Sequence, residues 1–195
     1  MQLPIDPRVA RVASGYGWRT LRGQQQWHSG IDFQAPEGSP VYAAADGSIV
    51  RVYEPGELNN YGRTIVLQHS TAPPVLTLYA HLQTATGAPP GAQVRAGDQI
   101  GTVGRTKGTR ADPSLMFSSS AAHLHWEALE KWPAKPDQHR YDPIAALGLV
   151  LPPATRPAPR AAATAATGGA ILLVALLWAY SRKDRRRPSD HLIGV

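Results

Sequence analysis

Two short histidine-containing motifs provide the candidate chemistry of this sequence. His123 and His125 are separated by one residue within a β-forming run, and His28 stands four residues before Asp32. Residues i and i+2 of a strand share a face, and the i, i+4 spacing likewise places His28 and Asp32 on one face of an extended segment. Two imidazoles and a carboxylate, with a fourth position left to water, form an open zinc site of the catalytic type. Zinc held in this way activates water and polarises a carbonyl for hydrolysis.

Each motif is weakly specific when it stands alone. A His-x-His pair on a strand is more often an ordinary pair than a metal site, and a single His-x-x-x-Asp is weaker still. The sequence contains no cysteine, which excludes disulfides and thiolate metal ligands. A bound metal would therefore need histidine, aspartate or glutamate ligands.

The elements that must position these residues are short strands. Glycine and proline interrupt residues 1–150 at short intervals, and the predicted strands between them are 41–45, 48–53, 63–68, 75–81, 99–103 and 123–128. Asp46-Gly47 lies between the first two and predicts a tight hairpin, because glycine accepts the positive φ of the turn. No long helix is predicted in this part of the chain. The pattern indicates an all-β domain, an antiparallel sandwich or barrel-like fold.

The order of motifs over residues 10–130 resembles that of the lysostaphin/LytM-type metallopeptidases. The segments that carry the resemblance are Ala13–Arg19, His28–Gly47, Tyr61-Gly62, Leu78–Leu82, Val94–Gly104 and His123–Glu127. The resemblance implies an antiparallel β-sheet domain with its active site in a groove across the sheet. It also implies a peptidoglycan endopeptidase that binds one zinc ion per chain and acts on peptidoglycan peptides.

The same resemblance implies a role for each histidine of the motifs. His28, Asp32 and His125 would be the zinc ligands, while His81 and His123 would flank the metal without binding it. Either flanking histidine could take a proton from water or stabilise an oxyanion, and the resemblance leaves open which is the base. Because all five positions are filled, an active enzyme is favoured over a non-catalytic adaptor that binds cell-wall or division proteins.

Four further residues are candidate substrate contacts: Tyr61, Trp27, Trp126 and Arg105. The two tryptophans adjoin ligand positions, and they either form apolar walls for a peptide or pack in the core. Arg105 begins the segment 105–122, which is longer than the loop usual at this point in the family. This segment either borders the groove and selects the substrate peptide or is a surface insertion.

The chain after residue 150 is predicted to form a linker, a membrane span and a basic tail. Residues 151–160 contain four prolines, which is typical of an extended spacer. Residues 161–180 carry no charge, and as a helix with a rise of about 1.5 Å per residue they would cross a hydrocarbon core of about 30 Å. Trp178 and Tyr180 fit an interfacial position. The alternative is a buried C-terminal helix of the soluble domain.

The arginines of residues 181–195 favour a cytoplasmic C-terminus, with the peptidase domain on the cell-wall or periplasmic side of the membrane. Residues 1–8 lack the apolar segment of a signal peptide, which leaves the membrane orientation open. A phage hydrolase with the same chemistry, acting in a virion or in a host membrane, is the alternative origin.

The net charge of +6 is concentrated at the end of the chain. Residues 1–150 carry +1, residues 151–160 carry +2 and residues 181–195 carry +3. The predicted domain is therefore close to neutral, so a basic nucleic-acid-binding face is not predicted. The sequence indicates no particular protein partner.

Overall fold

The computed structural model describes residues 1–58, 60–106, 121–133 and 139–152. These residues belong to one compact unit, Met1–Ala158. The predicted linker from residue 153 onward, the predicted membrane span and the basic tail lie outside the described residues. Within the described ranges, no helix is long and apolar enough to span a membrane.

The described residues form short strands and one short helix. In chain order these are β1 Arg11–Ser14, β2 Gly17–Leu21, β3 Gln24–His28, β4 Ile31–Gln34, β5 Pro40–Tyr42, β6 Gly47–Tyr53, β7 Thr64–His69, β8 Leu76–Ala80, β9 Leu82–Ala85, β10 Gln93–Val94, β11 Gln99–Val103, β12 His123–Leu129, β13 Arg140–Tyr141 and α1 Pro143–Ala146. Five of the six predicted runs match a strand to within one residue at each end, whereas the run 41–45 overlaps β5 only at residues 41 and 42. The strands β1 to β4, β9, β10 and β13 were not predicted.

The strands pair in an antiparallel manner throughout the described residues. The largest sheet has the order β1-β4-β12-β8-β7-β6-β10, with β13 paired to the end of β12. A second sheet has the order β5-β11-β9, and β2 and β3 form a separate hairpin. This arrangement confirms the predicted mostly-β, antiparallel fold.

The main core lies between the large sheet and the three-stranded sheet. The small sheet contributes Val41 and Ile100, and β12 contributes Leu124 and Trp126, all at most 1% exposed. Alternation along β12 directs Leu124 and Trp126 into this core. The same alternation directs the residues between them to the opposite face of the sheet, away from the core.

The predicted hairpin at Asp46-Gly47 was wrong. The two runs that flank it enter different sheets, β5 in the three-stranded sheet and β6 in the large one. Gly47 is instead required by the close approach of β6 to β7, since a Cβ at this position would lie 2.1 Å from the carbonyl oxygen of Gln68. The Asp46 carboxylate accepts a hydrogen bond from the Ala96 amide at 2.8 Å.

Candidate metal centre

Three neighbouring strands bring the predicted site residues together. β12 places His123 and His125 on the face away from the core, as the one-residue spacing predicted. β4 lies beside it with Asp32 directly opposite His125, and β8 lies on the other side with Ala80 opposite His125. His81 follows Ala80 at the end of β8, so both flanks of β12 supply a polar side chain to the same space.

His28 reaches this space across a break between two strands, and not along one extended segment as the i, i+4 spacing predicted. β3 ends at His28 and β4 begins at Ile31, and the chain bends at Gly30 between them. Gly30 allows this bend to approach β12, because a Cβ there would lie 2.4 Å from the carbonyl oxygen of Trp126. The predicted convergence of His28 and Asp32 is found, but for a different geometric reason.

Three potential ligand atoms converge at the centre of the site. His28 Nε2 lies 3.2 Å from Asp32 Oδ1, and His125 Nδ1 lies 2.8 Å from the same oxygen. The two imidazole nitrogens are 3.2 Å apart. His28 and His125 are 5% and 7% exposed, so the three atoms face one another in a largely water-excluded space. Their spacing allows them to hold one metal ion.

Hydrogen bonds on the outer nitrogens determine where the histidine protons lie. His28 Nδ1 donates to the carbonyl oxygen of Gly15 at 2.7 Å, and His125 Nε2 donates to a Glu127 carboxylate oxygen at 2.9 Å. In the neutral rings, the lone pairs of His28 Nε2 and His125 Nδ1 therefore point at each other and at the Asp32 carboxylate. Three electron pairs this close repel one another unless a cation or a proton lies between them.

The donor set fits zinc. Ligand atoms about 2.0–2.2 Å from a tetrahedral zinc ion lie about 3.3 Å apart, so the three side chains would accept the ion after shifts of a few tenths of an ångström. Three protein ligands leave the fourth position open, and the outer hydrogen bonds on His28 and His125 match the usual support of metal-binding histidines.

The charges around the centre favour a cation there. Burial raises the pKa of Asp32, but the hydrogen bonds from His125 and His28 outweigh it and hold this pKa well below its usual value. Burial lowers the pKa of His125, but hydrogen bonds to Asp32 and Glu127 outweigh it and raise the pKa to about 9. In the metal-free protein a proton on His125 Nδ1 therefore takes the place of the cation.

His81 and His123 form a second pair beside the centre. Their ring centroids are 4.6 Å apart, and His123 Nε2 lies 3.9 Å from Asp32 Oδ1. His81 Nδ1 donates to the Thr106 carbonyl at 2.9 Å and His123 Nδ1 donates to the Ala121 carbonyl at 3.2 Å, which places the lone pair of each neutral ring on Nε2. Burial lowers the pKa of His81 to about 3 and also lowers the pKa of His123, so both are neutral at neutral pH.

A left-handed backbone conformation aims the His81 side chain. Its φ is 61°, a region that non-glycine residues seldom adopt and that persists where the surrounding structure enforces it. The His81 amide donates to the Tyr61 carbonyl at 2.8 Å, which fixes the chain between β8 and β9.

Glu127 and Arg140 are functional candidates that the sequence analysis missed. Glu127 lies two residues after His125 on the same face of β12, so strand alternation could have identified it. Its carboxylate accepts from His125, from Ser29 Oγ at 2.5 Å and from Tyr61 Oη at 2.8 Å. Arg140 Nε donates to the other carboxylate oxygen at 2.8 Å, through a pairing that no local sequence pattern indicates.

Arg19 was also missed, and it contacts Asp32 from the β2–β3 hairpin. Its Nη1 atom lies 3.3 Å from Asp32 Oδ2 and 2.7 Å from Ser14 Oγ. Arg19 thus holds the carboxylate oxygen that does not face the two histidines. The motif segment Ala13–Arg19 contains this arginine, but its spacing does not predict the contact.

The four candidate substrate contacts have different environments. Tyr61 lies in the site, with its ring centroid 5.7 Å from that of His125. Trp126 is fully buried between Phe33 and Tyr79, which excludes its role as a groove wall. Packing in the core, the alternative named for Trp126, is what the structure shows.

The other two candidates contact side chains that are not metal ligands. Trp27 is paired with Trp18 across the β2–β3 hairpin. Strand alternation places its side chain on the face opposite that of the neighbouring His28. Its ring packs edge-to-face on Tyr16, with the ring centroids 5.2 Å apart. Arg105 pairs with Glu37 at 3.4 Å, and its side chain is 55% exposed. Residues 107–120 of the long predicted loop lie outside the described residues.

Comparisons with known proteins agree with this site. A family profile described as "Peptidase family M23" matches residues 26–139. The chain is 38% identical over 127 residues to the DD-carboxypeptidase/endopeptidase Mpg of Neisseria meningitidis, covering 64% of this chain and 26% of that protein. It is 35% identical over 133 residues to the peptidoglycan DD-endopeptidase ShyC of Vibrio cholerae, covering 66% and 26% respectively.

Among solved structures, the catalytic domain of the antimicrobial peptidase lysostaphin from Staphylococcus simulans superposes with a TM-score of 0.56 at 28% sequence identity. The superposition covers 71% of this chain and 92% of that domain. The chain spans about a quarter of the length of the two curated relatives. Since the profile matches more than half of the chain, and its matched range contains the three potential ligands, the chain belongs to peptidase family M23.

Proposed function

We propose that this chain is a zinc-dependent endopeptidase that hydrolyses peptide bonds in peptidoglycan cross-links. The observation that carries the proposal is the convergence of His28 Nε2, Asp32 Oδ1 and His125 Nδ1, with both imidazole lone pairs directed inward. The substrate class rests on the relatives, two of which are named as a DD-carboxypeptidase/endopeptidase and a peptidoglycan DD-endopeptidase.

Zinc bound by these three residues would polarise a peptide carbonyl and make a water molecule more acidic. The chain itself supplies the proton acceptors. His81 and His123 are neutral, and each has an Nε2 lone pair because Nδ1 donates to a backbone carbonyl. The histidine that accepts a proton at Nε2 becomes a donor at that atom and can return the proton to the leaving amine.

The first experiment measures zinc content and peptide release from cell-wall sacculi with the full chain. We expect one zinc per chain, loss of hydrolysis on chelation and its return when zinc is added back. His125→Ala should abolish both zinc binding and hydrolysis because it removes one of the three ligands. His191→Ala, in the predicted basic tail, is the matched control and should retain both. A wild-type chain that binds no zinc, or hydrolyses no sacculus with zinc bound, would refute the proposal.

We also propose that residues 161–180 cross a membrane and that residues 151–160 separate this span from the peptidase domain. The proposal is supported by the uncharged segment, by Trp178 and Tyr180 near its end and by the arginines that follow it. Full-length protein should remain in the membrane fraction after an alkaline wash. Leu173→Arg/Leu177→Arg should release it, because charges are costly in the bilayer, whereas Leu173→Ala/Leu177→Ala should not. Release of all three proteins alike would contradict the anchor.

A further inference from the structure

Glu127 and Arg140 form a buried ion pair directly behind His125. Their side chains are 0% and 3% exposed, and Arg140 Nε lies 2.8 Å from Glu127 Oε2. The other carboxylate oxygen, Oε1, accepts the hydrogen bond from His125 Nε2. The ion pair therefore contacts His125 through Nε2, whereas Asp32 faces Nδ1.

The Glu127 carboxylate accepts hydrogen bonds from several surrounding donors, which restrict its orientation. Oε1 accepts from Ser29 and Tyr61 as well as from His125, and Oε2 accepts from Arg140. Arg140 Nη2 also lies 3.3 Å from Tyr61 Oη, which links two of these donors. A carboxylate held on both oxygens cannot rotate without breaking several charge-assisted hydrogen bonds in a water-excluded space.

An acceptor at Glu127 Oε1 controls which nitrogen of His125 is available for the metal. When a metal takes the place of the proton on His125 Nδ1, the remaining hydrogen must lie on Nε2, because Glu127 Oε1 only accepts. The Nδ1 lone pair then faces Asp32 and His28. We propose that Glu127 and Arg140 are positioning residues: Glu127 holds His125 in the metal-binding tautomer and ring orientation, and Arg140 holds Glu127. This inference rests on the proposed zinc site.

Arg140 lies just beyond the range of the family match, which ends at residue 139. It lies on β13, which pairs with the end of β12 at Ala128 and Leu129. Tyr16 Oη donates to the Arg140 carbonyl at 3.1 Å, so the arginine backbone is also held from the segment that precedes β2. The support of His125 thus includes a residue that follows the matched range.

The test compares two double variants of the full chain in which the buried charges are removed together. Glu127→Met/Arg140→Met leaves His125 Nε2 without the carboxylate acceptor, whereas Glu127→Gln/Arg140→Met restores a side-chain oxygen at nearly the same place. Removing both charges avoids a buried unpaired ion, which would itself destabilise the protein. Zinc dissociation constants are measured by competition with a chromophoric chelator, and the free energy of unfolding is measured in urea.

We expect the Met/Met variant to bind zinc about 10-fold to 100-fold more weakly than wild type, the usual effect of removing an outer hydrogen-bond partner of a ligand. The Gln/Met variant should recover most of that affinity. Equal zinc affinities for the two double variants would show that the pair serves only the fold and would overturn the inference. A wild-type chain without zinc affinity would instead overturn the proposed function, which makes the two failures distinguishable.

A second measurement needs no variant. In the zinc-loaded wild-type chain, ¹⁵N NMR of the histidine side chains should find the His125 proton on Nε2. A proton on Nδ1 would overturn the inference even if a double variant failed to fold.

Discussion

At the scale of single residues, the hydrogen-bond partner of each histidine determines which ring nitrogen carries a lone pair, and so distinguishes the proposed zinc ligands from the proposed proton acceptors. In their neutral forms, His28 and His125 direct lone pairs to one point beside Asp32, while His81 and His123 direct theirs into the adjoining space. All four are imidazoles on or next to neighbouring strands. Their proposed roles differ because one partner, Glu127, binds Nε2 of His125, whereas backbone carbonyls bind Nδ1 of the other three.

We expect His81→Ala and His123→Ala to keep one zinc per chain and to lose hydrolysis. Neither removes a proposed ligand, and a positioned general acid–base group contributes about 10²-fold to 10⁴-fold in rate. Zinc content and kcat on sacculi or a soluble cross-linked peptide would measure the two effects separately.

His69→Gln is the control for these two variants. His69 is 2% exposed and its Nε2 atom is 2.7 Å from Thr77 Oγ1, in a buried hydrogen-bonded group that contains none of the proposed catalytic residues. This variant should lose stability and keep kcat at temperatures where it is folded. Loss of zinc from His81→Ala or His123→Ala would contradict the division of roles.

At the scale of elements, the close approach of β6 and β7 depends on the absence of a side chain at residue 47. Gly47→Ala should destabilise the protein by about 3 kcal/mol or more, because its Cβ would overlap the Gln68 carbonyl and force the strands apart. The free energy of unfolding in urea would measure this loss.

Two further variants distinguish this explanation from a hairpin turn. Gly47→Asn would be tolerated if residue 47 needed a positive φ, but the close approach to Gln68 makes it at least as harmful as alanine. Gly87→Ala is the matched control, since its Cβ would meet nothing within 4 Å, and it should change stability by less than about 1 kcal/mol. A tolerated asparagine at position 47 would contradict the strand-packing explanation.

At the scale of the whole molecule, the proposed site links global stability to pH when no metal is bound. The pKa of His125 is raised to about 9 from its ordinary value of 6.5, so the folded state retains a proton that the unfolded chain releases. This contribution is complete below about pH 6.5 and is lost as the pH rises through about 9.

We therefore expect the metal-free protein to lose up to about 3 kcal/mol of unfolding free energy between pH 6.5 and pH 9, at about 1.36 kcal/mol per unit of pKa shift. Below pH 6.5 stability should fall for a different reason, because the lowered pKa values of His81, His123 and His69 mean that the unfolded chain takes up protons first. Urea unfolding in a chelator across this pH range would show an optimum near pH 6.5.

His125→Gln should remove the decline between pH 6.5 and pH 9, since it removes the group that titrates. Saturating zinc should also remove it, because the metal replaces the proton. An unchanged slope in His125→Gln would assign the effect to other groups.

The sequence by itself determined the strand positions that carry the potential ligands and the chemical class of the site. Alternation along 123–128 was enough to place His123 and His125 on one face, because strand periodicity is a property of adjacent residues. The absence of cysteine limited the ligands, and the order of motifs indicated the family that the profile match confirms.

Only the tertiary structure decided how those side chains are oriented and supported. The Asp46-Gly47 hairpin and the groove-wall role of Trp126 failed because each depended on which sheet a strand joins and which face meets the core. The pair of Glu127 and Arg140, the contact of Arg19 with Asp32 and the proton positions on the histidines join residues from separate strands. Such contacts are set by strand order and register across the sheet, and no local pattern of residue types records them.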